Sequence, residues 1–361
     1  MSPPVFPLAP GSSIGILGGG QLGRMLALAA ARLGFDVVVL EREADSPAGR
    51  AAAKLIVGGY ADEAALAELA ELTGLVTYEF ENVPAASVAW LAARGVAVAP
   101  GPQALAVAQD RFEEKTFLNA HGAPTVAFAP ASSPAEAVAA VSQVGAPALM
   151  KTRREGYDGK GQRWVEHAAD AAAAFEALGG APVIVEAAAD FVRELSVIAA
   201  RGRDGATAIY PLAENHHENG VLRRSIAPAR AGQAVVEQAE RIAARVLAGL
   251  DYVGVIGIEL FEMADGRLLV NEIAPRVHNT GHWTQDGCEV DQFEQHIRAV
   301  AGWPLGPTHA IAQVEMLNLL GDDADAWAKY AAEPETRIHL YGKRGARPGR
   351  KMGHLNRVRP L

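Results

Sequence analysis

The stretch Gly257-Ile258-Glu259-Leu260-Phe261-Glu262-Met263-Ala264-Asp265-Gly266-Arg267-Leu268-Leu269-Val270-Asn271-Glu272 constrains the fold more than any other part of the chain, because it reads as a hairpin with two carboxylates at its open end. Asp-Gly between apolar runs is a strong two-residue turn signal. With Asp265 and Gly266 as the turn, Ala264 pairs with Arg267, and counting outward sets Glu259 opposite Glu272 on one face, their Cβ atoms roughly 5 Å apart. That face is expected to carry Phe261, Met263, Leu268 and Val270 too, so two like charges end an apolar surface. Such a pair is destabilising unless a cation neutralises it. A divalent metal meets that need. Magnesium suits two carboxylates beside an amide, Asn271, because it keeps waters and completes its shell with phosphate oxygens. A nucleoside triphosphate is then the first ligand to expect; the alternative is a solvated hairpin end with two unpaired glutamates.

The 361 residues imply two or three domains, and a half-hydrophobic composition with 21% charged residues can bury a real core. A formal charge of −9 and a pI near 5.6 argue against a nucleic-acid or anionic-membrane partner, so any anionic ligand must be held by local cations. Cys288 is the sole cysteine, which excludes an intrachain disulfide and a cysteine zinc site and fits a reducing cytoplasm. The leader Met1 to Pro10 lacks a basic start and a continuous apolar core, so it does not read as a signal peptide. No run approaches the roughly 18 apolar residues of a membrane helix.

From about residue 13 to 110, short apolar runs alternate with helical patterns: strand Ile14 to Leu17, helix Gln21 to Leu33, strand Val37 to Leu40, helix Glu63 to Leu72, strand Leu75 to Phe80. This βαβ series predicts a parallel, doubly wound sheet. A break at Pro100-Gly101-Pro102 leads into a helix from about Gln103 to Ala120 and a second βα series with strands Pro147 to Lys151 and Pro182 to Glu186. From Glu194 the strand candidates lengthen (Leu195 to Ala200, Ala206 to Pro211, Val221 to Ile226), a long helix covers Ala234 to Leu247, and the acidic hairpin follows. The chain is therefore expected to be α/β with an α+β C-terminal part. Its domains are expected at 1–110 (Rossmann-like), 111–187 (a small lid) and 188–361 (an antiparallel sheet with the metal site and a basic tail).

Gly18-Gly19-Gly20-Gln21-Leu22-Gly23 follows the first strand, matches GxGxxG and has Glu41 at the end of the second strand, which taken alone indicates NAD. A glycine turn at a helix N-terminus binds many anions, or merely packs helix on strand. Nothing downstream resembles hydride-transfer machinery, so Gly19, Gly20 and Gln21 are assigned to a substrate phosphate or carbonate. A second glycine-rich element, Lys151-Thr152-Arg153-Arg154-Glu155-Gly156-Tyr157-Asp158-Gly159-Lys160-Gly161-Gln162, combines amides freed by Gly156, Gly159 and Gly161 with dense cations. It reads as a flexible phosphate cover, distinct from a Walker A loop, or as a basic surface hairpin. Lys151 ends an apolar strand and is assigned to a nucleotide phosphate.

This element, Gly257 to Phe261, Asn271-Glu272-Ile273-Ala274-Pro275-Arg276-Val277-His278-Asn279 and Gly281-His282-Trp283-Thr284 together resemble the N5-carboxyaminoimidazole ribonucleotide synthetase family of ATP-grasp enzymes. Gly18 to Met25, Thr77-Tyr78-Glu79-Phe80-Glu81-Asn82-Val83 and Arg347-Pro348-Gly349-Arg350-Lys351-Met352-Gly353-His354 are similar to it as well, so the resemblance spans nearly the whole chain. It implies an ATP-grasp fold behind a Rossmann-like pre-ATP-grasp domain. The implied activity is an ATP- and Mg2+-dependent carboxylation of 5-aminoimidazole ribonucleotide by bicarbonate, through carboxyphosphate, in a cytoplasmic homodimer.

The resemblance carries specific roles. Nucleotide contacts fall on Arg111, Lys151, Gly156 to Gln162 (with Lys160 and Gly161), Glu186, Ala187, Ala188, Ala189, Glu194, His217, Asn271 and Glu272, with Glu259 and Glu272 as metal ligands. His217 lies in Glu214 to Gly220, which reads equally as a solvated polar loop. Tyr157, Asp158 and Arg276 are the implied catalytic groups. Glu79, Arg276, His278, Lys343, Arg350 and Lys351 join Gly19, Gly20 and Gln21 around the second substrate; the alternative for the seven Lys and Arg between Lys343 and Arg359 is a solvated basic tail. Glu155 departs from the family's more usual glycine, which bears on loop dynamics. A formate-dependent glycinamide ribonucleotide transformylase is the rival of the same fold, with an NAD-linked oxidoreductase and a non-catalytic nucleotide sensor as rivals of other classes.

Overall fold

The computed structural model describes residues 4–156 and 160–361 and organises them around three sheets. The first is parallel, with the strands Lys54–Val57, Asp36–Glu41, Ser13–Leu17, Leu75–Tyr78 and Ala97–Val98 in that spatial order. Its central strands are buried on both faces, which is why they read as continuous apolar runs. The second sheet orders Phe128–Ala131, Val183–Ala187, Ala148–Thr152 and Gln162–Val165. All its pairings are antiparallel. Alternate residues Ala148, Met150, Val183 and Val185 pack under the helices Pro134–Val144 and Ala171–Ala177, leaving Lys151 and Leu149 on the opposite face.

The third sheet is antiparallel and nine-stranded. Its path runs Leu268–Ala274, Gly254–Met263, Phe191–Arg201, Ala213–Glu218, Val221–Ala227, Gln313–Leu320, Lys351–Arg359 and Thr336–Leu340, with Thr207–Ile209 beside Phe191–Arg201. One face packs on the helix Gln233–Gly249 through Ile242, Val246, Ile256 and Leu260. The other shares a continuous core with the first sheet, joining Ile198 and Val255 to Ile14, Val39 and the helices Gln21–Arg32 and Gln292–Ala301. Among the described residues no helix is long and apolar enough to cross a membrane.

Three sequence expectations change. The hairpin turn is a three-residue loop: the Gly266 N–H donates to the Met263 carbonyl at 2.9 Å, the Met263 N–H to the Arg267 carbonyl at 2.9 Å, and Gly266 takes φ 80°. Only a residue tolerant of the left-handed region closes such a loop without strain. The register is thereby displaced, Leu260 facing Val270 and Phe261 facing Leu269, until a bulge at Asn271 restores it and sets Glu259 opposite Glu272. The bulge also moves Leu268 and Val270 off the carboxylate face into the core with Ile258 and Leu260.

Second, the predicted helix Gln103 to Ala120 is two helices, Pro102–Ala108 and Arg111–Ala120, because Asp110 leaves helical geometry and caps the second by accepting the Phe112 N–H at 3.0 Å. Third, Glu214 to Glu218 belongs to a strand and not to a solvated loop. Buried Asn215 accepts a hydrogen bond from Ser225 Oγ at 2.7 Å, polar on a face where periodicity would place an apolar group.

Buried histidines tie these layers together. The Val255 N–H donates to His296 Nδ1 at 3.1 Å, so Nε2 carries the proton and donates to Thr77 Oγ1 at 2.8 Å, joining the first and third sheets. Burial pushes His296 down from 6.5 to about 3, and burial together with Arg276 does the same to His278. His282 and His354 shift in the same direction. The folded state thus binds fewer protons than the unfolded one, so this contribution is whole above about pH 6.5 and is lost as pH falls toward 3. Urea unfolding between pH 7 and 4 is expected to show stability falling by up to about 1.4 kcal/mol per pH unit for each such site, and a flat profile would contradict it.

The segment after the hairpin packs just as tightly: a Cβ placed on Gly257 would lie 2.5 Å from the Cβ of His278. Gly257→Ala is expected to cost about 1–3 kcal/mol in urea unfolding by forcing His278 off the strand.

Candidate active site

The two carboxylates meet at the edge of a polar cavity of about 450 Å³. Glu259 and Glu272 both line it, and their mutual repulsion is resolved unequally. Burial and the charge of Glu272 push the Glu259 carboxyl up to about 7. Burial would raise Glu272 as well, but the Arg111 guanidinium, donating from Nη1 at 2.8 Å, outweighs it and holds the group at about 2. His278 Nε2 lies 3.6 Å from Glu259 Oε1, and its ring is fixed by Thr280 Oγ1 at 2.9 Å from Nδ1.

Arg111 reaches this position because Asp110 starts its helix there. Asp110 in turn receives two hydrogen bonds from Arg153, each 2.9 Å, which anchor the base of the glycine-rich element. Arg111 Nη2 donates to the Gly156 carbonyl at 3.0 Å, so one guanidinium spans Glu272 and the glycine-rich element. Gly156, Lys160 and Gln162 line the cavity, whereas Gly161 does not; Tyr157, Asp158 and Gly159 lie outside the described residues. Glu155 takes φ 64°, a conformation that favours glycine and gives a backbone reason for glycine at this place in the family.

Lys151 also lines the cavity, and its charge is met from behind by Glu186, with Nζ 2.8 Å from Oε2. Glu186 itself is buried and does not line the cavity. The next two backbone amides are engaged, Ala187 N–H with the Ala127 carbonyl at 2.9 Å and Ala188 N–H with the Pro147 carbonyl at 3.4 Å, and Ala187, Ala188 and Ala189 stand apart from the cavity wall. Glu194 and His217, on neighbouring strands but two residues out of direct register, form an ion pair that lines the cavity with Asn271. Burial opposes protonation of His217, but Glu194 and Glu259 reverse that and raise it.

The first glycine turn behaves differently from its motif. The Gly19 N–H donates to Glu41 Oε2 at 2.6 Å, and the N–H groups of Gly20 and Gly23 donate to Glu79, the latter at 2.6 Å. A Cβ at position 20 would meet Glu79 Oε1 at 2.7 Å, so glycine is needed for this carboxylate to approach. The amides that would hold a dinucleotide's pyrophosphate are given to the protein's own carboxylates, and Glu41 also accepts the Tyr60 hydroxyl at 2.7 Å instead of awaiting a ribose. Gln21, the first residue of the helix, lines the cavity; Gly19, Gly20 and Glu79 do not.

Of the C-terminal cations, Lys351 lines the cavity at the start of its strand. Lys343 lies over the Tyr341 ring, and Arg350 donates to the carbonyls of Arg344 and Gly345, at 2.5 and 2.7 Å, so the loop before the strand closes on itself and keeps both from the cavity wall. Arg276 lines the cavity, clasped by both oxygens of Glu81, with Nη2 3.0 Å from Oε1.

Sequence reasoning passed over Glu81, Glu114 and Lys115. Glu114 and Lys115 stand three and four residues after Arg111 and therefore on its helix face, a spacing that a correctly placed helix start would have exposed. Glu114 lines the cavity, and burial with the charge of Glu272 pushes it up to about 8.

Three family models match the chain: the ribonucleotide synthetase preATP-grasp domain over residues 12–109, the ATP-grasp domain over 116–293 and the phosphoribosylaminoimidazole carboxylase C-terminal domain over 315–360. The chain is 49% identical over 355 residues to the N5-carboxyaminoimidazole ribonucleotide synthase of Brucella melitensis, with 98% of each protein covered. Among solved structures, the synthetase of Thermus thermophilus shares 46% identity at a TM-score of 0.90, over 96% of this chain and 93% of that one. The Aspergillus clavatus enzyme, solved with ADP and 5-aminoimidazole ribonucleotide, shares 33% identity at a TM-score of 0.91, over 98% and 95%. With the acidic hairpin, the glycine-rich cover and these likenesses along its whole length, the chain belongs to the N5-carboxyaminoimidazole ribonucleotide synthase family, ATP-grasp ligases that carboxylate 5-aminoimidazole ribonucleotide in purine biosynthesis with ATP.

Proposed function

We propose that this ATP-dependent carboxylation runs in the cavity between the small sheet and the acidic hairpin and passes through carboxyphosphate. A bicarbonate oxygen attacks the γ-phosphorus of ATP, and ADP leaves. The amine nitrogen of 5-aminoimidazole ribonucleotide then bonds to the carboxyl carbon, the carbon–oxygen bond to phosphate breaks, phosphate departs and the nitrogen loses a proton. The observation that carries this reading is the convergence of Glu259, Glu272, Arg111 and Lys151 on one cavity that Arg276 and Lys351 also reach.

In this reading Arg111 and Lys151 hold the nucleotide phosphates, their present carboxylate partners marking where anionic oxygens are favoured. Glu194 and His217 take the nucleoside end, and Asn271 the phosphate end. Arg276, kept rigid by Glu81, and Lys351 offer charge to the ribonucleotide phosphate and to carboxyphosphate. Gly156, Lys160 and Gln162 cover the phosphates and exclude water from the anhydride.

Magnesium fits the Glu259–Glu272 pair, since two partly buried like charges with ionisations driven apart are what a divalent ion relieves. When bound, it supplies neutralisation of the phosphate charge during phosphoryl transfer. The homodimeric, cytoplasmic state implied by the resemblance belongs to the same proposal, and sedimentation equilibrium tests the assembly.

The deciding assay is ADP release with magnesium, ATP and bicarbonate, with and without 5-aminoimidazole ribonucleotide, beside a parallel assay with formate and glycinamide ribonucleotide. Stimulation by the imidazole substrate alone is expected, and stimulation by the glycinamide pair alone would overturn the reading. Glu272→Ala is expected to lower ADP formation by about a hundredfold or more while the urea midpoint stays near that of the parent, and an active variant would remove the metal assignment.

A further inference from the structure

Leu268–Ala274 is the edge strand of the large sheet, so its outer backbone groups face no neighbouring strand. Around Glu272 they are taken by side chains of the helix Arg111–Ala120. Lys115 Nζ donates to the Asn271 carbonyl at 2.9 Å, and Glu114 Oε1 accepts the Ile273 N–H at 2.6 Å. These are the carbonyl just before Glu272 and the amide just after it. Both side chains are nearly sealed from solvent, Glu114 at 2% and Lys115 at 1% exposure. Sealing two long polar side chains away from water to satisfy two edge groups is costly where water itself would serve, so these contacts do more than satisfy hydrogen bonds.

Asn271 is the bulge residue of the hairpin, and a bulged position lacks the regular ladder that fixes a paired one. The direction of the Glu272 side chain therefore depends on what holds the backbone on either side. Lys115 extends the clasp further: its Nζ lies 3.4 Å from Glu186 Oε1, and the other oxygen of Glu186 takes Lys151 at 2.8 Å.

We propose that Glu114 and Lys115 are positioning residues for the metal-bearing carboxylate: they pin the backbone before and after Glu272 so that it stays opposite Glu259. The inference rests on the reading of Glu259 and Glu272 as magnesium ligands. It predicts that the backbone acceptor and donor roles matter at these positions, and that removing them loosens the metal without first disturbing the nucleotide.

The test uses the full chain with Mn2+ as the probe ion and ADP present, free Mn2+ being read by electron paramagnetic resonance and ADP binding measured separately without metal. Glu114→Leu and Lys115→Met are expected to weaken Mn2+ about tenfold and to leave metal-free ADP affinity within about twofold. Glu114→Gln, whose amide oxygen still accepts the Ile273 N–H, is expected to bind Mn2+ within about threefold of the parent. If Glu114→Leu does not fold, as its urea midpoint reports, Lys115→Met carries the comparison. Should Glu272→Ala weaken Mn2+ while Glu114→Leu and Lys115→Met bind it like the parent, the positioning role is overturned and the metal reading survives. Parent-like Mn2+ binding by Glu272→Ala overturns the metal reading and this inference with it. A Glu114→Gln variant as defective as Glu114→Leu overturns the pinning argument, because charge and not the hydrogen bond would then govern.

Discussion

The repulsion between Glu259 and Glu272 is the constraint around which the rest of the site is arranged. Two like charges on residues whose Cβ atoms lie roughly 5 Å apart, at an effective dielectric near 20, oppose each other by up to about 3 kcal/mol, a sizeable fraction of a domain's net stability. The chain counters this with cations drawn from different layers: Arg111 from the helix that links the sheets, bonded to Glu272, and Lys151 from the small sheet, whose charge acts on the same carboxylate. The counter-charges are themselves compensated, Lys151 by Glu186 and Arg276 by Glu81. The result is a cavity lined with charged and polar groups that hold one another in place before any ligand arrives, the preorganisation on which phosphoryl transfer depends.

The N-terminal sheet shows how a motif can be retained while its chemistry is turned inward. The strand, glycine turn and helix adopt the dinucleotide-binding arrangement, yet Glu41 and Glu79 occupy the turn's amides from within the protein. What remains for a ligand is the cavity-facing side chain of Gln21. Fold and function separate here, since the same backbone that elsewhere cradles a pyrophosphate serves in this chain as part of the wall of another site.

Much of this was legible in one dimension. The strands Ser13–Leu17 and Asp36–Glu41 and the helix Glu63–Leu72 follow from apolar runs and a helical period, because burial on both faces or one face leaves that imprint directly on the residue order. The Glu259–Glu272 pairing was also readable, though for a reason the structure revises: a three-residue loop displaces the register and the Asn271 bulge restores it, so the expected partners meet while Leu268 and Val270 change faces. The strand Ala213–Glu218 escaped because buried Asn215 and cavity-lining His217 carry no apolar signature. The split at Asp110 left a sign in the sequence, an aspartate followed three residues later by Glu113, which is a helix-start pattern.

The amino-acid order by itself determined the elements, the acidic hairpin and the families of chemistry that two carboxylates, a glycine-rich cover and clustered cations permit, because these depend on neighbours within a few residues or across one turn. Only the tertiary structure decided which of the candidate cations face the cavity. Lys351 and Arg276 do, while Lys343 and Arg350 are held in a loop that closes on its own carbonyls. It likewise decided that Glu79 serves the glycine turn and that Glu114 and Lys115 flank Glu272. The physical reason is that a side chain's charge and length are written in the sequence, whereas the partner that satisfies a buried charge is chosen by packing between layers distant in the chain.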